Sequence, residues 1–159
     1  MGRLSYFEKI TRRAHLFSEA MPANEKLAHP FSIRNIHPKL PRKVLSLFDD
    51  GHYSEATFEA AKFLDKIVQK ISGDDQSGYK LMLTAFGGDR PKITLTRNNT
   101  LSDKDEQAGY RFIFTGLMQA IRNPKGHEID IKDDLDTCLD HLSFISLLIR
   151  RLEKAGYIV

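Results

Sequence analysis

The chain has a single cysteine, Cys138, and no tryptophan in 159 residues. One thiol excludes an intrachain disulfide and a Cys-rich zinc site, and it suits a reducing compartment, so a cytoplasmic protein is expected. Cys138 falls on the apolar face of a predicted helix, where it reads as an inert core thiol. Long apolar runs are missing as well. The longest uncharged one, Leu142 to Ile149, is far short of the ~20 residues a membrane span needs, and no membrane association is expected. Near the N-terminus Glu8, Lys9, Arg12 and Arg13 interrupt any apolar core of a secretory signal. Charge of one sign is scarce too: 24 Lys and Arg against 21 Asp and Glu leave +3. That excess is too small for a dedicated duplex-binding surface but is compatible with a local basic patch. There is no internal repeat and no low-complexity segment.

What is present is helical periodicity. Leu4, Phe7, Ile10, Ala14 and Phe17 recur at three- and four-residue steps and predict an N-terminal amphipathic helix over about 3–20. A proline-containing connector follows, so the chain divides into an N-terminal helix and connector (1–36) and a helical domain (37–159). Within the domain, a short apolar stripe from Val44 to Phe48 stops at Asp49-Asp50-Gly51. A longer helix is capped at Ser54 and runs to Ser72-Gly73, and a third covers Tyr79 to Phe86 before the Gly87-Gly88 turn. Residues 91–96 alternate as a short extended insert with no strand partner. Ser102 and Asp105 have capping-box spacing ahead of a helix that reaches Arg122, and a last helix spans about Asp133 to Ala155. The expected fold is all-α, a bundle of four to five helices.

The chemistry concentrates in Arg122-Asn123-Pro124-Lys125-Gly126-His127. Pro124 lacks an amide hydrogen and crowds the carbonyl four residues back, which predicts a helix stop at Arg122 and a bend eased by Gly126. Such a broken turn brings the Arg122 and His127 heads toward one phosphate-sized spot. A guanidinium grips phosphate oxygens with a planar fork, and an imidazole exchanges protons near neutral pH. RNA cleavage without a metal needs a base for the 2′-hydroxyl, a cation for the phosphoryl oxygens and an acid for the leaving oxygen. Arg122 and His127 are the candidate catalytic residues, with Asn123 and Lys125 as candidate substrate-binding residues. One imidazole covers one proton transfer, so a two-fold homodimer facing the motifs together becomes part of the expected mechanism.

This Arg-x4-His stretch resembles the signature of the HEPN superfamily. A wider set resembles the Ymh family of uncharacterised bacterial and phage proteins: His37-Pro38, Gly51-His52-Tyr53-Ser54-Glu55-Ala56, Ser72-Gly73, Gly78 with Leu81-Met82, Glu106-Gln107 with Gly109, and Gly116 leading into Arg122-Asn123-Pro124. The resemblance implies a dimeric HEPN-like helical bundle. For many HEPN members it also implies metal-independent endoribonuclease activity in toxin or anti-phage defence systems, so RNA and a regulating antitoxin or defence protein are the partners it suggests. No cofactor and no metal are expected.

Competing readings stay open. Arg122 at a helix end also suits capping its own carbonyls or pairing with Glu128 or Asp130, and His127 suits a surface turn. The alternatives to an enzyme are a non-catalytic helical module that binds RNA, nucleotide or a partner protein through the same basic turn, and a structural dimerisation unit. His37 and His52 read as turn or packing residues. His15, His29 and His141 share no metal-ligand spacing. Gly87-Gly88 is a turn without the Lys-Ser/Thr of a phosphate loop. Asp49-Asp50, Asp74-Asp75 and Asp133-Asp134 read as helix-boundary markers, and Tyr110 and Phe112 as helix-packing residues.

Overall fold

The structure, a computed structural model, describes residues 28–127 and 132–159; the predicted N-terminal helix lies outside them. The observed helices are α1 (Pro30–Ile33), α2 (Arg42–Asp49), α3 (Tyr53–Ser72), α4 (Gly78–Ala85), α5 (Leu101–Leu117), α6 (Asn123–His127) and α7 (Leu135–Lys154), with a π-helical turn, Met118–Arg122, joining α5 to α6. The fold is all-α, as the periodicity predicts. The long α3 and α7 pack together, α2 lies on α3, and α4 lies along α5. Ala56, Ala60, Leu64 and Val68 from α3 meet Leu142, Ile145, Ile149 and Leu152 from α7 in one buried core. The alanines keep the α3 surface low enough for larger aliphatic side chains to seat against it. Phe86 and Phe114 stack with ring centroids 4.3 Å apart and close the α4–α5 side.

Several helix ends differ from their sequence reading. The capping box belongs to Thr100 and Asp103: Asp103 N–H donates to Thr100 Oγ1, and Thr100 N–H donates to the Asp103 carboxylate, so α5 starts before Ser102. Helix α3 starts at Tyr53 behind His52, and Ser54 Oγ, expected as a cap, instead accepts from the Asp133 N–H at 2.7 Å. The connector is also more than a surface strap, since Ile36 is buried in the core and Phe31 packs against it.

The insert at 91–96 contains no strand; Gln107 holds it in place. From inside α5 the Gln107 Nε2 donates to the Phe86 and Ile93 carbonyls, and its Oε1 accepts from the Leu95 N–H at 2.7 Å. A segment without a sheet partner must find other partners for its buried backbone groups, and one carboxamide supplies two of them while also tying in Phe86. Ile93 and Leu95 can then bury their side chains.

Candidate functional site

The expected helix stop at Arg122 does not occur. The ring of Pro124 would crowd the Ala120 carbonyl on a regular helix. The backbone relieves this by widening, so that Asn123 N–H donates to the Met118 carbonyl five residues back. Asn123 stays helical, with φ −65° and ψ −44°. Pro124 becomes the second residue of α6. The motif is therefore continuous and helical with one wide turn, and α6 carries Lys125 and His127.

This continuity separates the two heads expected to converge. Five helical residues correspond to about 140° of rotation, and no contact joins Arg122 to His127 within the chain. The Arg122 guanidinium lies over the Phe58 ring of α3, with Cζ 5.6 Å from its centroid, and Nη1 donates to Asn123 Oδ1 at 3.1 Å. Its Nε is buried without a partner, and among the described residues no carboxylate pairs with it. Gly78, at the start of α4, is close by. A Cβ added there would stand 3.8 Å from Arg122 Nη1 and 3.9 Å from Asn123 Oδ1, so glycine keeps this side open. Its φ of +62° also favours glycine, and its N–H donates to the buried Asp65 at 2.7 Å. His127 is solvent-exposed and makes no hydrogen bond to the described residues.

Lys125 points elsewhere than expected. Its Nζ donates to Asp133 Oδ1 at 2.7 Å, and the two side chains are only 7% and 5% exposed. Thr57 Oγ1 donates to Asp133 Oδ2 at 2.9 Å, and His141 Nδ1 lies 3.2 Å from the same oxygen. Burial pushes the Asp133 carboxyl up, but the hydrogen bonds from Lys125 and Thr57, the Lys125 charge and the His141 contact outweigh it and hold the group below the usual carboxylate range. Asp133 is thus the hub of a buried polar cluster tying α6 to α3 and α7, where the sequence suggested a helix-boundary marker. Lys125 serves that cluster and presents little charge to solvent.

Two other described histidines, His37 and His29, face carboxylates. His37 is buried and its Nε2 lies 3.0 Å from Glu153 Oε2, a contact that holds the Glu153 carboxyl below its ordinary value. His29 pairs with Asp49 at 2.8 Å. No group of three or more His, Cys, Asp or Glu among the described residues is placed to hold a metal ion. Cys138 is a buried core thiol. Phe112 departs from expectation: it is 67% exposed on α5, beside the exposed Ile113. Sequence reasoning passed over Phe58 and Asp65, and read Asp133 only as a helix-boundary marker. Asp65 left a signal, a carboxylate within the apolar stripe between Leu64 and Val68; Asp133 left none, because its partners come from three separate helices.

Fold and site together define an all-helical domain with an arginine at a π-turn that pairs with no carboxylate among the described residues, and an exposed histidine on the helix that follows. A family model described as "Protein of unknown function (Hypoth_ymh)" matches residues 34–152, and the chain belongs to that family. No curated protein and no solved structure matches it. No described helix is long and apolar enough to cross a membrane.

Proposed function

We propose that this protein is a metal-independent endoribonuclease of HEPN type that works as a homodimer, in a toxin or anti-phage defence setting. The observation that carries the reading is Arg122: a guanidinium with no carboxylate partner among the described residues, fixed by Phe58 and Asn123 beside the open face of Gly78. The N-terminus of α4 lies at the same place, with no side-chain cap from Ser77. The carboxylate of Asp65 is engaged by the Gly78 amide there.

Because Arg122 and His127 diverge around one helix, the reaction centre is composite. Arg122 of one subunit holds the phosphoryl oxygens. His127 takes the 2′-hydroxyl proton as the 2′-oxygen bonds to phosphorus, and the second subunit's imidazole protonates the departing 5′-oxygen as its bond to phosphorus breaks, leaving a cyclic phosphate and a 5′-hydroxyl. Asn123 assists as a hydrogen-bond donor through its amide nitrogen. Phe112 and Ile113, exposed on the α5 turns leading to the motif, support pairing, since a second copy laid over them removes their apolar area from water.

A non-catalytic reading has its own support. A guanidinium resting on an aromatic ring, with Lys125 already engaged by Asp133, is a sound phosphate-holding device without chemistry. RNA cleavage in EDTA decides between them. The enzyme reading expects cleavage by the wild type and none by His127→Ala or Arg122→Ala. RNA binding without cleavage in the wild type establishes the second reading and refutes the first.

A further inference from the structure

A cavity of about 330 Å³ lies between the Gly87-Gly88 turn and α5. Arg111 and Lys104 line it, and neither side chain makes an ion pair or hydrogen bond with the described residues. Arg111 Nε is buried and unsatisfied, one of two such side-chain atoms among the described residues. Leaving a buried guanidinium nitrogen unpaired is costly, and such an atom is normally found bonded. Glycine at position 87 is what admits this side chain: a Cβ there would stand 2.7 Å from Arg111 Nε and 2.8 Å from Cζ. The far wall holds Asn98, in the left-handed region at φ +58°. Asp89, the one carboxylate in the lining, is exposed, so two cations face a single anion. The walls are set before any ligand arrives, because Gln107 ties Phe86, Ile93 and Leu95 together from within α5.

We propose that this cavity binds a phosphoryl group, with the Arg111 fork on two of its oxygens, Lys104 supplying a second positive charge and the Asn98 amide a further donor. The eleven-residue step from Arg111 to Arg122 corresponds to about 16 Å of helix, so this is a second site, independent of the π-turn. The volume accommodates a phosphate together with an attached nucleoside-sized body. The phosphate belongs either to a free mononucleotide or to an RNA backbone, and the two are separable.

The test is an amide-resolved NMR titration of the full chain at low salt with inorganic phosphate, AMP and a short single-stranded oligoribonucleotide, the last in a His127→Ala background to prevent cleavage. Saturable shifts centred on Gly87, Gly88 and Asn98 are expected with at least one probe. Response to phosphate or AMP identifies a small phosphorylated ligand, and response to the oligonucleotide alone identifies an RNA backbone contact. Arg111→Gln should weaken binding by about 10-fold or more, the loss of a charge-assisted bidentate contact. Lys104→Gln, at an exposed position where folding is not at stake, should weaken it several-fold. His127→Ala should leave the phosphate and AMP titrations unchanged, which separates this site from the ribonuclease reading. Absence of shifts with all three probes, affinity unchanged in both the Arg111 and Lys104 variants, or loss of the AMP response in His127→Ala would each overturn the proposal.

Discussion

Replacing Asp133 with alanine tests how the motif is held. The carboxylate is 5% exposed, neutralises a Lys125 that is 7% exposed, and also accepts from Thr57. Truncation strands a buried ammonium together with a buried hydroxyl. Breaking a buried ion pair from one side costs about 3–5 kcal/mol, because the remaining charge keeps its desolvation penalty and loses its compensation. For a domain of this size, that lowers Tm by on the order of 10 °C. Urea denaturation followed by helical circular dichroism should show a lower midpoint at unchanged slope. The double variant Lys125→Met, Asp133→Leu removes both charges and should recover most of the loss. The pH dependence has a definite sign. The folded state holds the Asp133 pKa below its unfolded value of about 3.9. The stabilisation is therefore complete above that unfolded value and is lost as pH falls through the lower folded one. Asp133→Asn should flatten this acid limb. A loss below about 1 kcal/mol in Asp133→Ala, or a double variant no more stable than the single, would refute the claim that this cluster anchors α6.

Gln107→Ala removes the donors and acceptor that satisfy Phe86, Ile93 and Leu95, and should cost about 2–4 kcal/mol. Hydrogen exchange should rise first at the Leu95 amide, which donates to Gln107, and unchanged protection there would count against the staple. Thr100→Ala opens the observed capping box and should destabilise by about 1 kcal/mol, whereas Ser102→Ala should be neutral within a few tenths. Burial pushes the Cys138 thiol up to about 11. Alkylation at pH 8 should then be slow in the folded protein and fast in denaturant, and rapid labelling of the native state would show that the thiol is accessible.

The helices were legible because their apolar residues recur with helical spacing, and that spacing needs no knowledge of what each helix packs against. Ala60, Leu64 and Val68, or Leu142, Ile145 and Ile149, announce a buried face before any fold is known. Arg122 and His127 stood out in the same way, by residue type and distance along the chain. The outcome at Pro124 was not, since a clash with one carbonyl is relieved either by ending the helix or by widening it. The core contacts of Met118 and Ile121 keep the chain on the helical path. Nor does any local pattern show that Lys125 meets Asp133 with Thr57 and His141, or that Arg111 lies against Gly87. Sequence alone determined an all-helical Ymh-family domain with a basic amide-bearing turn. Tertiary structure decided which of its charges are buried in pairs and which are left open, because burial and pairing depend on groups brought together from distant positions.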